Sequence, residues 1–500
     1  MNFSQFLEMK ARGSPEALAL VDSRNRLTYA ELDSLACRFA NALVARGLGP
    51  GDRMAVFLPN RSELVIAFFG ALKAGVIAVP LNWRLVQADL AKVLSHCNPG
   101  CVVSDAAQRD KLAGVAPDKL LLVEDGARQG SFWQALDEQG GHFATLPRQA
   151  DDVANLLYTS GTTSTPKAAI HTHGMRVAIG AAMADCFRLS SRDVGLAISP
   201  IYHTAGMSVM CNAIFAGAAL VLLERWDVHE FVAAIRRESV TFLHVIGTVV
   251  VDIVGAPAAI FHDIGGSVRF SWGGGHSLDP ESFREYERRV GGVMLQGYSR
   301  TEGGLAYNPL DAARRRFDMH GWPNRNSAEL AVIDPATGRE VAVGQEGEIV
   351  FRGDGVSPGY WEEEGLRVPK RYPGGWFATG DNGFVDPDGG LHFLGRRDHM
   401  IKSGGENVYP AEVESVVLKV AGVADAVVLG LPDPRLGQRV AVLVVRQDPT
   451  LDAARLEQAC RAQLAGFKVP RKIGFAEALP RLGSQKVDLA ACRALLASQA

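Results

Sequence analysis

Apolar positions in "TYAELDSLACRFANALVARG" recur at helical spacing and stop at Gly47, so the pattern predicts a helix with a glycine C-cap. "RMAVFLP" follows as a continuous apolar run, which predicts a strand buried on both faces. "ELVIAFFGALKAG" predicts a second helix closing on Gly75, and "VIAVPLN" a second strand. The rhythm continues through "GCVVSD", "KLLLVED" and "GAALVLLE", which predicts a largely parallel sheet flanked by helices. After about Asn326 the pattern shortens. "SAELAVID", "GEIVFRG" and "GLHFLG" are separated by turn residues such as "DPATG" and "DPDGG", and predict a β-rich subdomain. Beyond the glycine- and charge-rich run Gly395–Pro410, four more apolar segments predict a compact α+β domain. The expected fold is α/β, with an N-terminal domain over residues 1–396 and a small α+β domain over 397–500.

A chain of 500 residues exceeds what one core usually organises, which agrees with two domains. Net charge is -3, so neither nucleic acid nor an anionic membrane is an expected partner. Seven scattered cysteines, an odd number, point to a reducing compartment rather than a disulfide framework. His96, Cys97 and Cys101 lie close together, but no second ligand pair of zinc spacing follows, and a structural role is the better reading. The N-terminus lacks a secretory pattern, and "VIGTVVVDIVGAPAAIF" is interrupted by Asp252, glycines and Pro257, so it reads as a buried element rather than a span. The terminal "ALLASQA" is not a peroxisomal address. A cytoplasmic protein is expected.

The segment "YTSGTTSTPKAAIHTHG" carries the first chemical signal. A Walker loop needs glycine before its lysine and Ser or Thr after it, whereas Pro166 precedes Lys167 here and Ala168 follows. Turn N–H groups and the hydroxyls of Thr159, Ser160, Thr162 and Thr163 can still donate to oxyanions, and Lys167 adds a point charge. The alternative is a Ser/Thr-rich surface loop. Further along stand Tyr298, Thr301 and Glu302 in "LQGYSRTEGG", Asp381 in "GGWFATGD", Arg396 and Asp398 in "LGRRD", and Lys486 in "LPRLGSQKVD". Taken singly, Asp381 reads as a turn aspartate, Glu302 as a surface charge and Lys486 as a solvated lysine. "GVSPG" fits a hydrolase elbow, but Pro358 has no N–H for an oxyanion, so Ser357 is not a nucleophile.

Those segments stand in order with "GDRMAVFLPN", "LKAGVIAVPLN", "PIYHTAG" and "GRRDHMIKSGGENVYPAEVES" along nearly the whole chain. Together they resemble the AMP-forming acyl-CoA synthetase family, which includes firefly luciferase and peptide-synthetase adenylation domains. The resemblance implies an ATP-dependent, Mg²⁺-requiring ligase that makes an acyl-adenylate and then a coenzyme A thioester. It implies that the Thr159–Lys167 loop, Gly161 included, holds the β- and γ-phosphates. Glu302 would bind Mg²⁺, Thr301 would contact the α-phosphate and Tyr298 would stack on adenine. Asp381 would hold the ribose with Arg396 beside it, and Gly274, Gly275, Gln296 and Gly297 complete the nucleotide-binding set. Lys486 would bridge the α-phosphate and the incoming carboxylate. Rotation about Asp398 would then bring in Gly404 and Gly405, which leave room for the pantetheine arm. His203 would wall the acyl tunnel or be a satisfied strand-end histidine, while Gly297, Gly303 and Gly304 are expected to leave volume for a bulky aromatic or medium-length acid.

The chain departs from the family at Ser164, Ala168, Ser299 and Gln485, where glycine is usual. Loss of glycine restricts the backbone. Arg300 would pair with a second carboxylate of a diacid, or form a structural ion pair, which is favoured. Rival readings are an adenylating enzyme that loads a separate carrier protein, and a nucleotide-binding protein that no longer catalyses. A homodimer is compatible with the sequence.

Overall fold

The computed structural model describes residues 1–126, 128–159, 167–274, 280–311, 315–362, 365–368, 371–482 and 487–499. It divides into two compact units. The first takes Met1–His276, Pro280–Leu330 and Phe351–Phe377, and the second takes Ala331–Val350 and Ala378–Ala500.

The first unit is built on two sheets. One runs in the order Trp322–Pro323, Gly303–Tyr307, Val293–Arg300, Phe270–Gly274, Phe242–Ile246, Val194–Ala197, Ala219–Leu222, Leu18–Val21, Arg26–Thr28. Its six central strands are parallel, and antiparallel strands are added at both edges. The other runs Gly365–Arg367, Tyr360–Glu362, Lys167–Thr172, Val153–Thr159, Ile77–Pro80, Arg53–Phe57, Cys101–Asp105, Leu120–Val123. The helix predicted from "ELVIAFFGALKAG" is Ser62–Lys73, and every one of its residues is buried. A helix with no solvated face lies inside the core, and its side chains join those of both sheets in one cluster. Burial reaches even Lys73, whose ammonium pairs with Asp33 at 2.8 Å. The first predicted helix is Tyr29–Ala45, opened by a Thr28–Glu31 capping box.

The predicted strands appear where the apolar runs placed them, most of them shorter than the run. "VIGTVVVDIVGAPAAIF" resolves differently. It forms the end of a strand, the helix Gly247–Gly255 and a 3₁₀ turn, and it leaves Val251 58% exposed. Gly247–Gly255 is too short to span a bilayer, and no helix among the described residues is long and apolar enough to do so.

The second unit takes strand Gly347–Arg352 as far as Val350, and strand Trp376–Val385 from Ala378 onward in its hairpin with Leu391–Arg396. It continues into a sheet of Glu406–Val408, Ile401–Ser403, Gly437–Arg446 and Val423–Asp433, with Lys472–Ala476 parallel to Gly437–Arg446. Helices Pro410–Val417 and Ala453–Gln463 cover one face. Helix Leu489–Ser498 covers the other.

Candidate active site

Two antiparallel strands, Val153–Thr159 and Lys167–Thr172, lead into and out of the Ser/Thr-rich loop. Thr159 lies opposite Lys167 and its Oγ1 is 3.4 Å from the Lys167 carbonyl oxygen. Ser160, Gly161, Thr162, Thr163 and Ser164 fall outside the described residues, as do Gly275, Gln485 and Lys486. Ala168 is in the outgoing strand, paired with Tyr158 on one side and Trp361 on the other. Ser299 is likewise in a strand, opposite Leu305. Extended backbone suits any residue, so neither lost glycine forces strain at these two positions.

Thr301 and Glu302 form the two-residue turn between strands Val293–Arg300 and Gly303–Tyr307. Glu302 is 6% exposed, and both its carboxylate oxygens are engaged. The Tyr360 hydroxyl donates to Oε1 at 2.6 Å, and Arg300 Nε lies 3.3 Å from Oε2. Burial alone would raise the Glu302 pKa, but the Arg300 charge and the Tyr360 hydrogen bond outweigh it and hold the group below its ordinary value. The site thus keeps a buried, ionised carboxylate. Arg300 is found in the structural ion pair that the sequence favoured.

Sequence reasoning missed Tyr360 and the role of Ser357. The Ser357 N–H donates to the Glu302 carbonyl oxygen at 2.8 Å, which braces the turn from behind. Its hydroxyl is fully buried and shared between the carbonyls of Ile170, at 2.7 Å, and Gly359, at 2.8 Å. "GVSPG" is therefore a structural brace and not a nucleophile elbow. The strand Tyr360–Glu362 pairs with the one leaving the loop, Tyr360 opposite Ala169, and this pairing delivers the Tyr360 hydroxyl to Glu302. No local motif announces such a partner, because it comes from 58 residues away.

Tyr298 is buried, and its ring lies 5.8 Å from that of Phe351. Gly304 makes that approach fit. Its φ is +75°, and a Cβ there would stand 2.3 Å from the Phe351 ring. A Cβ on Gly303 would meet the Gly355 carbonyl at 2.1 Å, and one on Gly297 the Tyr307 ring at 2.2 Å. At all three glycines the Cβ direction is filled by protein, so their smallness serves packing and does not itself leave volume for an acid. Gln296 is buried on the same strand, and Gly274 ends the neighbouring strand Phe270–Gly274. His203 is half-buried at the start of helix Thr204–Ala216, with its ring 4.5 Å from that of Tyr202. It precedes a helix, so of the two sequence readings the strand-end one is placed wrongly in its element. His96 Nδ1 lies 2.8 Å from the Tyr158 hydroxyl, a structural contact.

The second unit holds the remaining candidates. Asp381 is 3% exposed and lies opposite Arg396 across a hairpin, with Arg396 Nη1 3.3 Å from its Oδ1. The same guanidinium reaches Asp398, Nε to Oδ1 at 3.1 Å. One arginine therefore joins the ribose candidate to the hinge candidate. Gly404 and Gly405, with φ of +63° and +91°, form the two-residue turn between Ile401–Ser403 and Glu406–Val408. Such a turn requires positive φ at both central positions, which accounts for the glycines by backbone geometry.

An α/β scaffold with a buried carboxylate tied to the strand that follows the hydroxyl-rich segment is what these features define. The family model described as AMP-binding enzyme matches residues 7–361, and that for the AMP-binding enzyme C-terminal domain matches residues 412–486. A feruloyl-CoA synthase from Amycolatopsis sp is 34% identical over 484 residues, covering 96% of each chain. Among solved structures, ATP-bound MatB from Rhodopseudomonas palustris is 32% identical, with a TM-score of 0.89 and 99% of each chain covered. O-succinylbenzoate coenzyme A synthetase (MenE) from Bacillus subtilis, in complex with ATP and magnesium ion, is 28% identical with a TM-score of 0.84, covering 96% of this chain and 98% of that one.

The chain belongs to the AMP-binding enzyme family, as its ordered motifs implied. It is an AMP-forming acyl-CoA synthetase: it uses ATP to convert a carboxylate to an acyl-adenylate with loss of pyrophosphate, and coenzyme A then displaces AMP to give the thioester.

Proposed function

We propose that this ligase activates an aromatic or medium-length monocarboxylic acid, with Mg²⁺ held at Glu302. The observation that carries the metal assignment is the state of Glu302, a buried carboxylate kept ionised by Arg300 and Tyr360. Oxygen donors of this kind suit a hard cation shared with substrate phosphates. Among the described residues no cluster of three or more His, Cys, Asp or Glu could hold a metal, so one protein carboxylate with phosphate oxygens is the arrangement that fits. When bound, the cation would offset phosphate charge. Thr301 would donate its hydroxyl to the α-phosphate, and Lys167 with the Thr159–Thr163 segment would hold the departing pyrophosphate. Preorganised donors of this sort supply the largest part of such catalysis. Asp381 and Arg396 would take the ribose, Tyr298 the adenine, and Lys486 would neutralise the approach of two anions.

For the acid, Arg300 is already engaged by Glu302, which argues against its use on a second substrate carboxylate. The relative named for feruloyl-CoA supports an aromatic group. Rotation of the domain beyond Asp398 would exchange Lys486 for the Gly404–Gly405 turn between the half-reactions. A cytoplasmic site of action is supported by seven free cysteines.

The test is acid-dependent pyrophosphate release over a panel of aryl, medium-chain and dicarboxylic acids, with and without CoA. Aryl or medium-chain acids should lead, and CoA thioester should form. Preference for a dicarboxylic acid would overturn the acid assignment. Adenylate without thioester would point to a carrier protein as acceptor.

A further inference from the structure

Behind the Thr301–Glu302 turn runs a buried polar chain with no part in the chemistry above. His171, on the strand leaving the loop, is 1% exposed, and its Nε2 lies 2.7 Å from the Thr301 carbonyl oxygen. Its Nδ1 meets Nη2 of Arg176 on helix His173–Phe187. Arg176 is 2% exposed and donates from Nε to Asn155 Oδ1 at 2.9 Å, and Asn155 stands on the strand entering the loop. Four residues from four elements thus form one hydrogen-bonded chain ending at the turn that carries Thr301.

Donor and acceptor counting gives the chain a direction. A guanidinium only donates, so Nδ1 of His171 must accept. Burial first, and the Arg176 charge second, hold the His171 pKa well below its ordinary value, so the ring is neutral. Its single proton is then on Nε2, and it is donated to the Thr301 carbonyl. Arg176 makes no ion pair with a carboxylate among the described residues. A buried charge without a counterion is costly, and an apolar pair would fill the same space without that cost.

We propose that His171 and Arg176 are positioning residues for the adenylation site. Arg176 selects the His171 tautomer, and His171 fixes the Thr301 carbonyl, so the Thr301 hydroxyl and Glu302 carboxylate keep their register against strand Lys167–Thr172. The inference rests on the proposed roles of Thr301 and Glu302 toward the nucleotide. Displacements of about 1 Å in such groups cost on the order of 100-fold in rate.

The test uses the full chain carrying His171→Gln, and a second protein carrying His171→Leu with Arg176→Met. Removing both partners together avoids orphaning either of them but takes a donor from Asn155 Oδ1 and from the Thr301 carbonyl, so the double variant should melt lower than the wild type while remaining folded at the assay temperature. We expect its acid-dependent ATP–pyrophosphate exchange to fall about 10- to 100-fold in kcat/KM, mostly in kcat. His171→Gln keeps an N–H for Thr301 and should stay within about fivefold of wild type. A double variant with full exchange overturns the inference, and so does a His171→Gln variant that loses as much as the double. ATP affinity is measured by calorimetry on the same proteins. A wild type that binds ATP without any exchange would sink the ligase reading alone. Positioning would then stand on a fall of about tenfold or more in ATP affinity in the double variant, and unchanged affinity would overturn it.

Discussion

Glu302 shows how single contacts set the chemistry of a residue. Burial pushes its pKa up, while Arg300 and the Tyr360 hydroxyl pull it down and prevail. Tyr360→Phe removes a 2.6 Å hydrogen bond to a carboxylate, an interaction of about 1.5–3 kcal/mol. Exchange should fall about tenfold in kcat/KM. With one downward influence gone, the Glu302 pKa rises, so the acid limb of the pH–rate profile should move to higher pH. Unaltered kinetics at every pH would make Tyr360 a bystander. The replaced glycines are also decided residue by residue: Ala168 and Ser299 sit in extended strands, where a side chain costs no backbone strain.

At the scale of elements, the hairpin Val293–Arg300 and Gly303–Tyr307 is shaped by what crosses its glycines. Gly304 takes φ of +75° and lies against the Phe351 ring, which in turn neighbours Tyr298. Gly304→Ala would bring both a disfavoured backbone and a clash, so it should destabilise the protein by about 2–4 kcal/mol. It should also weaken nucleotide binding through Tyr298. Chemical denaturation and calorimetric ATP titration check the two effects, and a fully stable, tight-binding variant would refute this packing account. The helix Ser62–Lys73 was legible as a helix from its spacing, but its burial on every face was not. Periodicity reports one apolar side, whereas here the helix is also covered by helix Tyr29–Ala45, Gly70 lying against Ala36 and Phe39, within a cluster fed by both sheets.

At the scale of the whole molecule, each unit has its own buried core. In the second, burial raises Glu414 to about 7, opposed by the Val428 N–H and assisted by Asp425. Between its ordinary value of 4.5 and about 7 the folded state holds a proton that the unfolded state has lost. Stability therefore falls as pH rises through that window, and the cost is fully present above it. Glu414→Gln keeps the acceptor for Val428 and removes the ionisation, so it should stabilise the second unit by about 3 kcal/mol at pH 8 and very little near pH 4.5. Thermal melts at the two pH values decide. Lys486→Ala tests the use of the C-terminal domain in two conformations. Adenylation should fall by about 100-fold or more, while thioester formation from supplied acyl-adenylate largely survives. Equal loss in both half-reactions would refute domain alternation here.

The sequence by itself determined the succession of strands and helices, the family, and most of the residues expected to meet the nucleotide. These depend on local periodicity and on motifs whose spacing is fixed along the chain. Tertiary structure alone decided who holds those residues. Tyr360 reaches Glu302, Ser357 braces its carbonyl, and His171 holds that of Thr301, from 58, 55 and 130 residues away. Such partners follow from strand pairing and turn geometry. Those set which side chains meet only after the sheets have formed, and no local pattern encodes them.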